Sequence, residues 1–108
     1  MVIFIKSFTK SLPAGASETE IGSLTVKVGR KYAVLEILPY VITGSWLYVY
    51  IENERVAEIH GDVISKDNRR ILVNWELSGG QTLKITATNA TASGAIAGAI
   101  VVYDDLPA

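Results

Sequence analysis

The sequence has no cysteine, one histidine, one methionine and three prolines in 108 residues. Without cysteine there is no disulfide framework, no thiolate metal site and no cysteine nucleophile, whatever compartment the protein occupies. An excess of charge of one sign is missing as well: ten Lys and Arg against eleven Asp and Glu give a formal net charge of −1. That balance argues against a binder driven by phosphate neutralisation, so no nucleic-acid partner is expected. Long hydrophobic runs are also lacking. The N-terminal Met-Val-Ile-Phe-Ile stretch has no basic residue ahead of it and is too short for the apolar core of a signal peptide. Every other candidate is interrupted by a charged residue well before the roughly 20 apolar residues of a membrane helix. Neither a leader nor membrane insertion is expected, and localisation is left open.

What is present is apolar and β-forming. Hydrophobic residues make up 49% and charged residues 19% of the chain. A mass of 11.7 kDa lets about two-thirds of the unfolded surface be buried, enough for one autonomous domain spanning 1–108. Leu24, Val26 and Val28 alternate with Ser23, Thr25 and Lys27, the period of a half-buried strand. Ile71, Val73, Trp75 and Leu77 alternate with Arg70, Leu72, Asn74 and Glu76, and Leu83, Ile85 and Ala87 with Lys84, Thr86 and Thr88. Residues 31–38 form another β-rich run, closed by Pro39, which cannot donate to a central ladder.

Hairpin punctuation separates these runs: Ser78-Gly79-Gly80-Gln81 between two of them, Glu52-Asn53-Glu54 between two others. Only 90–100 has helical alanine content, and its two glycines and missing polar stripe argue against a helix. The pattern predicts about eight strands, near 2–9, 21–28, 31–38, 45–52, 55–60, 69–77, 82–89 and 95–103. Segment 10–20 is expected to be a long loop. The fold class is all-β: an antiparallel β-sandwich with jelly-roll or Greek-key topology.

The inventory for catalysis is poor. His60 precedes Gly61 and Asp62, but no nucleophile elbow accompanies them. The carboxylates Glu36, Glu52, Glu54, Glu58 and Glu76 fall where outward residues of alternating strands belong. Glu18 with Glu20, and Asp104 with Asp105, are the compact acidic groups, and neither has the spacing of a calcium loop, so solvated acidic segments are expected. The stretch Lys66-Asp67-Asn68-Arg69-Arg70 is expected to be a polar connection, and Asn89-Ala90-Thr91 matches the N-glycosylation pattern. No catalytic residue, no metal and no cofactor is expected.

The aromatics carry more information. In Ser45-Trp46-Leu47-Tyr48-Val49-Tyr50-Ile51, alternation puts Leu47, Val49 and Ile51 on the core face and Trp46, Tyr48 and Tyr50 on the other. Three large amphipathic rings in a row suit cross-strand pairing, a subunit interface or the stacking of sugar rings. A second feature is the small-residue run 92–100, which implies a tight contact with a facing sheet, where Trp75 is a candidate filler, or with another subunit. Strands 46–51 and 95–103 are apolar on both faces. The sequence therefore points to a non-enzymatic, homo-oligomeric building block, such as a virion (capsid or decoration) or surface-appendage component, by fold-level analogy with small jelly-roll capsid proteins. The alternative is a carbohydrate-binding module using Trp46, Tyr48 and Tyr50, with a glycan as partner.

Overall fold

The computed structural model describes residues 3–63 and 70–108. Within them lie eight strands and no helix: β1 (Ile3–Leu12), β2 (Thr19–Thr25), β3 (Arg30–Tyr40), β4 (Ser45–Ile51), β5 (Glu54–His60), β6 (Ile71–Ser78), β7 (Thr82–Asn89) and β8 (Ala95–Pro107). Two four-stranded antiparallel sheets result, in the orders β1-β8-β3-β6 and β2-β7-β4-β5. Doubling the chain back at the β4–β5 turn gives the nested pairs β4·β5, β3·β6, β2·β7 and β1·β8. Wrapping that long double ribbon around a core brings β3 against β8 and β4 against β7. This is the jelly roll, and the expected eight-stranded antiparallel sandwich is borne out.

The central turn is formed by two residues, Glu52 and Asn53, both with positive φ (50° and 66°), as a type I′ hairpin requires. Glutamate is an uncommon occupant of that conformation. Its carboxylate is used here to accept the backbone N–H of Thr82 at 2.8 Å, tying the turn to β7.

The core draws on both sheets: Val34, Ile37, Leu77 and Val101 from one, Leu47, Val49, Leu83 and Ile85 from the other, all essentially without solvent contact. Ala97 and Ala99 of β8 are buried in it. The space they leave is filled by Phe8, which lies opposite Ala99 in the sheet and packs its ring against the Gly22 backbone of β2. Trp75 belongs to β6, in the same sheet as β8, and pairs with Val34, so it does not face the small-residue strand as expected.

Several element boundaries also differ from expectation. β2 is Thr19–Thr25 rather than 21–28, because its ladder to β7 runs from Thr19 to Thr25, and Val28 beyond it is 91% exposed. Lys10, Ser11 and Leu12 belong to β1 rather than to a loop, because they pair with Ala97, Ile96 and Ala95 and Leu12 is buried. β3 runs through Pro39 to Tyr40. Its ladder to β6 ends at the pair Ile37 and Ile71, so at Pro39 the strand pairs on the β8 side alone and no ladder bond to β6 is lost. β8 continues to Pro107 because Arg30, at the start of β3, pairs with it. Asp104 is consequently buried, and Asp105 accepts from Arg30 Nε at 2.7 Å. The C-terminal acidic pair is not a solvated end.

Candidate functional site

Each sheet turns one face to the core and one outward, and the two outward faces are built from different chemistry. On the β2-β7-β4-β5 sheet, the outward residues of β4 are Trp46, Tyr48 and Tyr50. Leu47 and Val49 lie on the buried side, as alternation predicts. The β5 register brings His60 opposite Trp46, Glu58 opposite Tyr48 and Arg55 opposite Tyr50, after a one-residue irregularity beyond Val49. The β7 register adds Thr88, Thr86 and Lys84 on the other side.

These neighbours occupy the rings. His60 stacks on the Trp46 indole with centroids 3.9 Å apart and planes 17° apart. The Arg55 guanidinium lies 4.0 Å from the Tyr48 ring centroid, close enough for a cation–π contact. Lys84 Nζ stands 5.0 Å from the Tyr50 ring centroid. Trp46 and Tyr48 meet edge-on at 61° and so form no flat platform. Trp46 retains 38% exposure, whereas Tyr48 retains 7%.

A carboxylate from the β1–β2 connection completes this face. Glu18 Oε2 accepts the Tyr50 hydroxyl at 2.5 Å and the Thr86 hydroxyl at 2.9 Å, and Arg55 donates to Glu18 Oε1 at 3.2 Å and to the Tyr50 oxygen at 2.8 Å. Partial desolvation opposes ionisation of Glu18. The two hydroxyl donors, together with Arg55 and Lys84, outweigh it and hold the carboxyl below its ordinary value of 4.5. The Tyr48 hydroxyl is shifted the other way, first by burial and then by the negative charge of Glu58. Glu18 is thus committed to a strap across the sheet rather than to a cation.

The outer face of β1-β8-β3-β6 is aliphatic. Cross-strand register aligns Ile5, Val102, Glu36 and Leu72 in one row, Ser7, Ile100 and Leu38 in the next, and Thr9, Gly98 and Tyr40 in a third. Ile96 follows opposite Ser11. Ile5 and Leu72 are each 71% exposed, and Ile96, Ile100 and Tyr40 are exposed too. Gly98 contributes no side chain, and the gap it leaves between β1 and β3 is a groove of about 400 Å³ walled by Leu38, Tyr40, Ile96 and Ile100. A Cβ at 98 would come within 2.6 Å of the Phe8 carbonyl oxygen, so the glycine also permits β1 to approach β8. Two ion pairs lie on this face among the described residues: Arg70 with Glu36, and Lys31 with Glu76 at 3.2 Å.

The remaining candidates fall to structural roles. Asp62 accepts the Gly44 N–H at 2.9 Å, while His60 lies on Trp46, so the two do not form a relay. Among the described residues, no group of three or more His, Asp or Glu is placed to hold a metal ion. Of the basic stretch 66–70, residues 66–69 lie outside the described residues, and Arg70 is in the Glu36 pair.

Asn89 is fully buried. Its amide donates to the carbonyls of Leu12, Pro13 and Ser93 at 3.4, 3.2 and 2.9 Å, and its Oδ1 accepts the Thr91 hydroxyl at 2.6 Å. The glycosylation pattern is therefore a structural clasp joining the β1–β2 and β7–β8 connections. Sequence reasoning missed this clasp and the Glu18 strap, since both depend on which loops meet.

No family model and no curated protein matches the chain. Among solved structures, the infectious bursal disease virus VP2 subviral particle is similar with a TM-score of 0.47 and 10% identity, over 94% of this chain and 32% of that one. The chain thus spans about a third of the length of that protein. At this identity and TM-score the likeness says nothing about activity or partners.

Proposed function

We propose that this protein is a non-enzymatic structural building block whose copies assemble into a homo-oligomer, as a component of a virion or surface appendage. The observation that carries the reading is the aliphatic outer face of the β1-β8-β3-β6 sheet. The rows from Ile96 to Val102, two to four strands wide with strands about 4.8 Å apart, give a face on the order of 400 Å² in projection. The largest apolar patch on a typical monomer is of about this size and is often functional. The jelly roll serves as both capsid and lectin scaffold, so the fold is compatible with this role without fixing it.

Light scattering at micromolar concentration tests the reading. A multiple of the 11.7 kDa chain mass is expected, and a monomer throughout would remove its main support.

The second reading, glycan binding by Trp46, Tyr48 and Tyr50, draws on the exposure of Trp46. It has to contend with rings already taken by His60 and Arg55. Glycan-array binding that disappears in Trp46→Ala would favour it over assembly, and an array on which the parent protein binds nothing would end it.

A further inference from the structure

We propose that two copies of this chain pack face to face through the outer side of the β1-β8-β3-β6 sheet, about a two-fold axis at Ile100, with each copy's Ile5 and Val102 seated over the other's groove at Gly98. This rests on the assembly reading above and assigns its surface and symmetry.

An isologous contact needs a surface complementary to itself, with a ridge and a groove on the same patch. This face has both. Gly98, Ile100 and Val102 are successive outward residues of β8, so Gly98 and Val102 lie about 6.6 Å on either side of Ile100. The groove is centred on Gly98. The ridge is the row containing Val102 and its β1 neighbour Ile5, of which Ile5 stands 71% exposed. A two-fold axis lying in the interface and crossing the strands at Ile100 carries each ridge onto the opposite groove, and the match occurs twice.

Three further observations favour a second copy over another occupant. Among the described residues this face carries the ion pairs Glu36 with Arg70 and Lys31 with Glu76, so at those positions an identical face meets charge that is already compensated. The area, on the order of 400 Å² in flat projection and larger once side-chain relief is counted, is about half of the roughly 800 Å² per partner of a standard interface, within the range of a small dimer contact. Edge-to-edge addition at β1 is disfavoured. Lys6 and Lys10 share the core-side face of that edge strand with Phe8, and inward-pointing charge is a common guard against strand addition.

The absence of cysteine provides a clean test. Ile100→Cys places one thiol per chain at the proposed axis, and because packed sheets lie about 10 Å apart a short bismaleimide, rather than a direct disulfide, is expected to give a cross-linked dimer on a denaturing gel. Ser23→Cys, on the other sheet, is expected to stay monomeric on that gel. In parallel, Ile5→Glu is expected to weaken association at least tenfold by sedimentation while its circular dichroism and melting stay those of a folded chain, and Val56→Glu on β5 is expected to leave association unchanged. If the parent protein associates but Ile5→Glu does not weaken it, or Ile100→Cys cross-links no better than Ser23→Cys, the assignment of this face is overturned and the assembly reading stands. If the parent is a monomer at all concentrations, the assembly reading fails and takes this assignment with it.

Discussion

The two outward faces of the sandwich satisfy themselves to very different degrees. On the β2-β7-β4-β5 sheet, large rings are covered by residues from neighbouring strands: His60 on Trp46, Arg55 on Tyr48, and Glu18 reaching in from a loop to Tyr50 and Thr86. On the β1-β8-β3-β6 sheet, Ile5, Ile96 and Ile100 have aliphatic or small cross-strand neighbours, Leu72 lies opposite Glu36, and all four stand exposed among the described residues. Aromatic and charged side chains can cap one another within a single chain because they hydrogen-bond and stack laterally. Aliphatic side chains gain only by leaving water, which a flat sheet cannot achieve without a second layer. The comparison therefore predicts that substitutions on the first face change stability, and those on the second change association.

Asn89, which belongs to neither face, sets the scale. Asn89→Ala leaves three buried or half-buried carbonyls without their donor, and at 1–3 kcal/mol for each unsatisfied group a loss of about 3 kcal/mol is expected in urea denaturation. Because the clasp holds the loops at one end of both sheets, stability and association should fall together.

Tyr48→Ala removes a ring that is 7% exposed from beneath Arg55. About 2 kcal/mol of stability should be lost, with the sedimenting mass unchanged. Ile100→Glu should do the reverse. Association weakens at least tenfold, about 1.4 kcal/mol, and thermal unfolding of the monomer shifts by much less. If Tyr48→Ala dissociated the oligomer and Ile100→Glu did not, the two faces would have to exchange roles.

The smallest effect concerns pH. Glu18 has a folded-state pKa below 4.5, so the unfolded chain binds the proton more readily and the carboxylate's contribution is present above that value. It is lost as pH falls through the depressed folded value. Glu18→Gln should therefore lower stability by about 1 kcal/mol at pH 7, and the difference from the parent should close as the pH is taken from 5 toward 3. A difference that shows no decline as the pH is lowered below 4.5 until the parent itself unfolds would mean that the strap does not depend on charge.

Periodicity made much of this architecture legible in the sequence. Alternation in 46–51, 71–77 and 82–88 identified strands and their buried sides, in 23–28 it held only as far as Val26, with Val28 91% exposed beyond the end of β2, and Glu52-Asn53 marked the central turn. The topology was narrowed to two choices, because strand order is a long-range property that no window of residues contains. The Trp46, Tyr48 and Tyr50 row was visible as a pattern, but its covering by His60, Arg55 and Glu18 was not. Those partners come from the β5 register and from a loop 32 residues away from Tyr50.

The outer aliphatic face was half visible. Residues 95–103 announced apolar character on both sides, while Ile5, Tyr40 and Leu72 joined the patch only when β1, β3 and β6 were laid beside β8. The extent of β8 was hidden because Asp104 and Asp105 resemble a solvated tail until Arg30 supplies a partner.

The most direct test of the central claim is sedimentation velocity of the parent protein across the micromolar range, with Ile100→Glu run beside it. A concentration-dependent species of at least twice 11.7 kDa is expected for the parent and the single-chain mass for the variant. A parent protein that sediments as one chain throughout, or a variant that associates as the parent does, would contradict that claim.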